Sequence, residues 1–392
     1  MTIDLAPAAV DRRCAGLATD LDDRAALDAR MIWSALVEPG DGVAGRLVRA
    51  YGARAALEVA LGLHAPRGDT EVMPDELRAA QARWTPRVRD VEEPSNAARR
   101  ARVMPLTPES AAWPRRLDDL GDHAPLCLWV RGEPARLSPQ VAVAMVGARA
   151  ATGYGEVVVG ELAGDLATQR VTIVSGGAYG IDGAAHRAAI AVGGQTVAWL
   201  AGGVDRPYPS GHAGLLDRIV SAGGAIASEV PCGSAPTKWR FLARNRLIAA
   251  GADGTVVVEA GWRSGSLNTA GHAASLGRPL GAVPGPVTSA ASAGCHRLLR
   301  EYDARCVTCA DDVRELVGIE TSPTLFDTGP SGRGTSGATR LRDALSTRSP
   351  RSLDDIARRA GMSVDEARAG LGLLALAGYA ESDEAGWRAN TR

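Results

Sequence analysis

Between residues 141 and 317, short apolar runs alternate with segments of helical periodicity. The apolar runs predict strands at residues 141–146, 171–174, 196–200, 225–227, 255–258 and 280–283. The segments between them predict helices, for example Glu156 to Thr168 and Asp182 to Val192. Strands that alternate with helices form parallel βαβ units, so the pattern predicts an α/β fold with a doubly wound, mostly parallel sheet. A ligand site is expected at the carboxyl ends of these strands.

The regions on either side of residues 111–317 differ from it in composition and in the secondary structure that they predict. Residues 1–110 are rich in Ala and Arg and predict a helical N-terminal domain, with two or three short helices between Asp28 and Ala60. The polar, Arg-rich stretch from Pro66 to Pro108 predicts a loosely packed, partly helical connector. Residues 318–337 have the Gly, Ser and Pro content of a flexible linker. Residues 338–392 predict three helices and a hairpin, which is the pattern of a small winged-helix domain.

Composition narrows the range of functions. The 392 residues include 44 basic and 45 acidic side chains, for a net charge of −1, which excludes a uniformly basic coat but not a local basic groove. Lys238 is the only lysine, and Phe241 is one of two phenylalanines. The N-terminus lacks the pattern of a signal peptide, no apolar run is long enough to span a bilayer, and six cysteines do not make a disulfide framework. We therefore expect a cytoplasmic protein with no membrane contact.

Two glycine-rich loops follow the first two predicted strands of this sheet. One reads Gly147-Ala148-Arg149, and the other runs from Ser175 through Gly176, Gly177 and Gly180 to Asp182. Glycine lets the backbone approach a ligand, and free amides at a helix start can bind a phosphate. Neither loop has the dinucleotide fingerprint or the P-loop lysine, so a nicotinamide cofactor and ATP are poorly supported. Tight turns without a ligand remain the alternative.

Other residues that could bind a metal or act as a nucleophile give weaker signals. Asp182 and His186 lie four residues apart on a helix, but two side chains do not make a zinc site, and a capping Asp with a hydrogen-bonded His is favoured. Cys306 and Cys309 form a lone CxxC pair without a second pair at zinc-finger spacing. Neither Ser175 nor Ser266 lies in a nucleophile elbow. The sequence therefore predicts no catalytic residue, no metal and no cofactor.

A basic and aromatic cluster occupies residues 237–246, which read Thr-Lys-Trp-Arg-Phe-Leu-Ala-Arg-Asn-Arg. Cations bind phosphates, and aromatic faces stack on unpaired bases regardless of sequence. This combination favours single-stranded over duplex nucleic acid. On a helix, Lys238, Phe241 and Asn245 would share one face. The alternative is a solvated basic face with Trp239 and Phe241 packed into the core.

Several ordered motifs between about residues 110 and 317 resemble the bacterial DNA-processing protein A family, also called Smf. The matching segments are Val146-Gly147-Ala148-Arg149, Ser175 to Asp182 with Ala185-His186, Tyr208-Pro209, Ser228-Glu229, Phe241 with Arg244-Asn245-Arg246, Val258-Glu259-Ala260, Ser264 to Leu267 with Thr269-Ala270, and Val283-Pro284-Gly285. The helical N-terminal region, similar to a SAM-like domain, and the winged C-terminal unit also look like this family's flanking domains.

The resemblance implies an extended Rossmann-like core that binds single-stranded DNA, protects incoming DNA and loads the RecA recombinase during natural transformation or recombination. It implies that Arg149, Lys238 and Phe241 contact DNA. The full set of DNA-binding residues that we predict is Arg149, Gly176, Gly177, Gly180, Lys238, Phe241, Arg244, Asn245 and Arg246. The family forms dimers through the end of the core, which implies a homodimer interface within residues 294–305 that contains Cys295, His296, Leu298 and Leu299.

The chain departs from the family pattern at two places. Leu242 stands where the family usually has proline, so the entry to that helix is expected to differ. In the dimer region, His296 replaces an asparagine, and Tyr302-Asp303 replace a glycine. The dimer geometry is therefore left open.

Two other functions are weighed against DNA binding by the core. A Rossmann-like nucleotide-processing enzyme, such as an N-glycosidase, would carry a PGGxGTxxE loop, and this chain has Val258-Glu259-Ala260 and Ser264-Gly265-Ser266 instead. A winged helix that reads duplex DNA would place cations on its recognition helix. Residues 364–376 contain only one, Arg368, beside Asp365 and Glu366. A protein contact or a weak DNA contact is favoured for that unit.

Overall fold

A computed structural model describes residues 3–17, 23–66, 71–319, 336–376, 378–383 and 385–390. The chain divides into two compact units, Met1–Glu320 and Thr321–Arg392. The N-terminal helices and the sheet therefore belong to one unit. Most of the predicted linker, residues 320–335, lies outside the described residues.

The N-terminal part of the first unit is helical, as predicted. Its helices are α1 (Pro7–Cys14), α2 (Arg24–Leu36), α3 (Gly42–Ala60), α4 (Pro74–Trp84) and α5 (Glu93–Ala101). The prediction of a loosely packed connector at residues 66–108 is wrong for α4, because Trp84 is buried and its ring meets that of Trp33 edge-on at 5.4 Å. The Trp84 indole also donates to Asp41, so this segment is part of the helical core.

A single mostly parallel sheet organises the rest of the first unit. Its strands are β1 (Met104–Leu106), β2 (Leu128–Gly132), β3 (Ala142–Gly147), β4 (Thr172–Ser175), β5 (Thr196–Trp199), β6 (Ala225–Ser228), β7 (Gly254–Glu259), β8 (Leu280–Ala282) and β9 (Arg305–Cys306). They are ordered β1-β2-β6-β5-β4-β3-β7-β8-β9. The β1–β2 and β2–β6 pairs are antiparallel, and the other pairs of this sheet are parallel. All six predicted strands are present, and β1, β2 and β9 extend the sheet beyond them.

Helices cover both faces of this sheet. They are α6 (Gly153–Thr168), α7 (Ile181–Ala191), α8 (Ala213–Ser221), α9 (Lys238–Ala250), α10 (Ser266–Ser275), α11 (Ala293–Glu301) and α12 (Ala310–Leu316). Short 3-10 helices lie at Thr85–Asp90, Arg115–His123, Pro134–Leu137, Ser210–His212 and Ala290–Ser292. Successive side chains of a strand point to opposite faces, so Val143 and Met145 of β3 join one buried cluster while Ala144 and Val146 join another. Burial on both faces explains why the strand signals are continuous apolar runs.

The strand order reverses beside β3. The chain runs from β3 through β4 and β5 to β6 in one direction, then returns to place β7 on the other side of β3. The loops that leave β3 and β7 therefore diverge, and they open a crevice at the carboxyl edge of the sheet. Ligands of doubly wound sheets bind at such a crevice.

The second unit consists of α13 (Ser336–Ala344), α14 (Leu353–Ala360), α15 (Val364–Leu376) and a hairpin of β10 (Ala380–Asp383) and β11 (Gly386–Ala389). Ser352 caps α14 by accepting a hydrogen bond from the Asp355 amide at 3.3 Å. Ile356 and Leu371 lie fully buried between the three helices. This is the predicted winged-helix arrangement.

Candidate nucleic-acid interface

An arginine and three aromatic side chains meet at the carboxyl edge of the sheet. The Arg149 guanidinium, from the loop after β3, lies 4.7 Å from the ring centroid of Phe241 on α9. The ring of Tyr208 is 5.7 Å from that of Phe241, at a tilt of 58°. Tyr179, half exposed, stacks edge-on against His212 at 4.7 Å on the same pocket wall. We call Arg149, Lys238, Phe241 and Tyr208 the basic-aromatic surface.

The start of α9 positions two members of this surface. Thr237 caps the helix by accepting from the Arg240 amide at 3.2 Å, and the Phe241 amide donates to the Thr237 carbonyl at 3.0 Å. Lys238 is thereby held in the first turn, exposed, with Phe241 half-buried one turn later. Leu242, where the family has proline, continues an unbroken helix from Lys238 to Ala250.

Four exposed cations surround these aromatic rings: Arg149, Arg206, Lys238 and Arg263. Within the described ranges, none of the four forms an ion pair with a carboxylate. Arg240, by contrast, is paired with Glu38, its Nε lying 3.0 Å from Oε2. The sequence does not single out Arg206 and Arg263, because they lie in loops far from residues 237–246 and an arginine-rich chain gives them no local signal.

Three predicted DNA contacts on α9 are buried instead. Arg246 is ion-paired with Glu229, and Glu229 also accepts from the Gly40 amide at 3.2 Å. Asn245 donates its side-chain amide to Asn268 at 3.2 Å. Arg244 donates Nη1 to the carbonyls of Gly176 and Trp199. Burial lowers the pKa of Arg244 to about 10, which still leaves it charged at neutral pH. The expectation that all three contact DNA is corrected for Arg246, which its buried ion pair with Glu229 removes from the surface, whereas Arg244 and Asn245 line the crevice beside β3 and stay predicted contacts.

The glycine-rich loop after β4 is shaped by packing rather than by open amides. A Cβ at Gly176 would collide with the Arg244 guanidinium and lie 2.7 Å from Asp182 Oδ2. Gly177 and Gly180 have φ of +68° and +72°, and a Cβ at Gly180 would collide with the carbonyl oxygens of Ala148 and Arg149. The Ala178 amide donates to Asp182 at 3.3 Å. The protein's own carboxylate therefore takes part of the anion site that the sequence predicts for a phosphate.

Two cavities adjoin the basic-aromatic surface. A small pocket lies between Tyr179, Tyr208 and Phe241. A larger cleft of about 510 Å³ lies at the crevice between β3 and β7, and Arg149 and Phe241 line both. The aromatic pocket and the crevice therefore share one wall.

The remaining chemistry-bearing residues are accounted for by local contacts. His186 Nδ1 lies 2.7 Å from the Thr196 hydroxyl, which donates to the Ile173 carbonyl, so His186 pairs with Thr196 rather than with Asp182. Burial lowers the pKa of His186 to about 3. Cys306 is exposed and Cys309 partly so, and neither forms a disulfide within the described residues. Among the described residues, no three His, Cys, Asp or Glu side chains are grouped to hold a metal.

The predicted dimer region forms α11. Cys295 and Leu298 are buried within the chain's own core, so neither side chain is available to a partner, and their assignment to an interface is corrected. His296 and Leu299 are half-buried. Beside them, the Arg297 guanidinium lies 5.2 Å from the ring of Trp262 and 5.6 Å from that of Tyr302, and both rings are partly exposed.

The fold and site define a doubly wound α/β protein with a basic-aromatic surface at its ligand edge and a separate winged-helix unit. Across the described part of the chain, no helix has the length and apolar character that a membrane crossing requires. The family model for DNA recombination-mediator protein A matches residues 104–318, and the model for the DprA winged helix domain matches residues 328–386. The chain belongs to the DprA family.

Individual relatives agree with this assignment. A DNA processing protein DprA of Mycobacterium tuberculosis is 48% identical over 299 residues, which are 72% of this chain and 76% of the relative. The X-ray structure of DprA from Streptococcus pneumoniae superposes with a TM-score of 0.57 at 30% identity, covering 73% of this chain and 95% of that one. The structure of DprA from Helicobacter pylori, which describes that protein's single-stranded DNA binding mode, gives a TM-score of 0.50 at 30% identity and covers 54% and 94%.

Proposed function

We propose that this protein binds single-stranded DNA through the basic-aromatic surface. The observation that carries the proposal is the stack of Arg149 on Phe241 beside Tyr208, among exposed cations without carboxylate partners in the described residues. Free cations neutralise phosphates, and exposed aromatic faces stack on bases that are not already paired. Duplex DNA offers the phosphates but not the open base faces. The single-stranded DNA binding described for the Helicobacter pylori relative supports the same assignment.

The test is a titration of fluorescent 20-mer oligothymidine and of a 20-base-pair duplex at several salt concentrations. Single strands should bind more tightly than the duplex, with little sequence preference and with a logarithmic affinity that falls linearly with the logarithm of salt. Equal binding of the two forms, or binding of neither, would overturn the proposal.

We further propose a non-catalytic role as a recombination mediator that protects single strands and loads RecA. The name of the matching family model, a recombination mediator, supports this role. The carboxylates near the crevice are held by structural hydrogen bonds: Glu259 accepts from the Thr152 amide at 2.8 Å and its hydroxyl at 2.7 Å, and Asp182 accepts from Ala178. RecA should be pulled down with this protein when single-stranded DNA is present, and the protein should increase the coating of that DNA by RecA. Release of free base from a nucleoside monophosphate would instead favour the N-glycosidase-like alternative.

A homodimer is proposed through the exposed face of α11, where His296 and Leu299 are half-buried and Arg297 packs between two partly exposed rings. Arg, Trp and Tyr are the residue types enriched where protein interfaces gain most of their binding energy. Light scattering should give twice the chain mass, and Leu299→Glu should halve the measured mass.

For α15 of the winged unit we propose a protein contact, because Arg368 pairs with Asp365 at 3.3 Å rather than standing free.

A further inference from the structure

A carboxylate of the N-terminal helical region, Glu38, binds the start of the helix that carries the basic-aromatic surface. Glu38 lies in the loop between α2 and α3, and Arg240 lies in the first turn of α9, 202 positions later. Arg240 Nε donates to Glu38 Oε2 at 3.0 Å, and its Nη2 donates to Oε1 at 3.1 Å. Two parallel hydrogen bonds between a guanidinium and a carboxylate fix the mutual orientation of the two groups.

Both members of this pair are held by further contacts. The Arg240 side chain is 16% exposed, and its Nη1 donates to the Ala235 carbonyl at 2.8 Å. Arg87, in the 3-10 helix Thr85–Asp90, pairs with the same Glu38 carboxylate. Partial burial raises the pKa of Glu38, but the hydrogen bonds from Arg240 and Arg87 outweigh burial and leave that pKa below its ordinary value. The pair is therefore charged at neutral pH, and it is more constrained than an isolated surface ion pair.

The contacts of Arg240 determine the local shape of the basic-aromatic surface. Ala235 directly precedes Pro236, which lines the aromatic pocket together with Phe241. Phe241 directly follows Arg240 in α9. Arg240 thus joins the loop before α9 to the first turn of the helix, and Glu38 joins both to the N-terminal helices. In the part of the chain that the structure describes, neither Glu38 nor Arg240 lines the pocket or the crevice.

The same loop between α2 and α3 reaches a later turn of α9 through a second attachment. The Gly40 amide donates to Glu229 at 3.2 Å, and Glu229 forms the buried ion pair with Arg246. The two attachments, at Arg240 and at Arg246, are about 9 Å apart along the helix axis. Because they hold α9 at two points, they constrain its direction as well as its position.

We propose that Glu38 is a positioning residue for DNA binding, which acts through Arg240 to hold the start of α9 in the geometry of the basic-aromatic surface. This inference rests on the proposed function. A carboxylate near the binding surface repels the phosphates of DNA, so loss of the Glu38 charge alone would strengthen binding. Loss of positioning has the opposite effect, because the loop and the first turn of α9 must then be ordered during binding. The direction of the change therefore separates positioning from electrostatics.

The test is a titration of the full-length protein with fluorescent 20-mer oligothymidine at several salt concentrations. The variants are Glu38→Gln, Arg240→Gln and the double variant. Each should bind about threefold to tenfold more weakly than the wild type, with an unchanged salt slope, because no phosphate contact is removed. The double variant should be no weaker than either single variant, because both single changes break the same contact.

An ion pair within the N-terminal helices offers the matched control. Glu76 of α4 pairs with Arg46 of α3, so Glu76→Gln removes the same charge and should leave the affinity within about twofold of the wild type. Hydrogen exchange of the peptide that covers residues 235–243 supplies a second measurement. Exchange there should become faster in Glu38→Gln and Arg240→Gln but not in Glu76→Gln, and it should slow again when oligothymidine is bound.

The outcomes separate this inference from the proposed function. If Glu38→Gln binds as tightly as the wild type, or more tightly, Glu38 does not position α9. The inference is then overturned, and the proposed function stands. If the losses of the two single variants add in the double variant, Arg240 contacts DNA directly, and the inference is again overturned. If the wild type does not bind oligothymidine, the proposed function fails, and the inference fails with it.

Discussion

The guanidinium of Arg149 rests on the ring of Phe241, 4.7 Å from its centroid, and so joins the loop after β3 to the first turns of α9. The two residues are far apart in the sequence, and the sheet's strand order brings them together. A cation above an aromatic ring is attracted to the ring face, and here the pair also leaves both groups partly exposed. The contact places one phosphate-binding group and one base-stacking group side by side.

Replacing the stacking ring should weaken DNA binding without changing its electrostatics. Phe241→Leu is expected to weaken oligothymidine binding by about 1–3 kcal/mol with an unchanged salt slope, because an aromatic face is lost and no charge is removed. Fluorescence anisotropy at several salt concentrations measures both quantities. The matched control is Trp239→Leu: Trp239 is 75% exposed but lies on the other side of α9 from Phe241. Equal losses in the two variants would contradict the assignment of Phe241.

Arg246 should matter for stability rather than for DNA. Arg246→Met leaves Glu229 buried without its cation and is expected to lower the free energy of unfolding by about 3–5 kcal/mol. The double variant Arg246→Met with Glu229→Met should recover part of that loss, because two apolar side chains need no partner. Urea unfolding of the three proteins measures the effect. A stable Arg246→Met protein that has lost only DNA affinity would show that Arg246 is a DNA contact after all.

Gly176 is expected to tolerate no side chain. Gly176→Ala places a Cβ against the Arg244 guanidinium and Asp182, so stability should fall by about 1–3 kcal/mol through overpacking. Gly160 in α6 offers a control, since a Cβ there meets no atom within 4 Å. Gly160→Ala should raise stability by about 0.5–1 kcal/mol, because alanine is the better helix former. Thermal unfolding of both variants distinguishes close packing from a general intolerance of substitution.

His186 makes stability depend on pH. Burial lowers its pKa in the folded protein to about 3, whereas the unfolded chain binds a proton near pH 6.5. The neutral His186 therefore contributes fully to the free energy of unfolding above pH 6.5. This contribution is lost as the pH falls toward 3, by up to about 1.4 kcal/mol per pH unit. Between pH 6.5 and 4.5, the wild type should lose about 2–3 kcal/mol more than His186→Gln in urea unfolding. If the free energy of unfolding fell equally with pH in the wild type and in His186→Gln, His186 would be protonated in the folded state.

The sequence predicted the parallel strands well, because each is buried on both faces and appears as a continuous apolar run. It missed β1, β2 and β9. Of these, β1 and β9 have only three and two residues and leave almost no pattern. It also missed the packing of α4. Trp84 is a single aromatic in a polar stretch, and only the fold brings it to Trp33.

For the site, the sequence predicted which segments meet but not which cations stay free. Arg246 and Lys238 are both cations within residues 237–246. Arg246 is buried in an ion pair with Glu229, whereas Lys238 has no carboxylate partner among the described residues. Such pairing is a tertiary property, as the contact from Gly40 to Glu229 across 189 positions illustrates. The sequence predicts phosphate binding by Gly176, because nothing in the order of residues reveals that this glycine packs against Arg244.

The most direct test of the central claim is to locate a bound base on the protein. Oligothymidine that carries a single 5-iodouracil can be photocrosslinked to the full-length chain, and the attached peptide identified by mass spectrometry. Our account predicts crosslinks to Phe241 or Tyr208, which are lost with excess unlabelled single strand and not with duplex. Crosslinks confined to residues 336–390, or a pattern that ignores both aromatic residues, would contradict it.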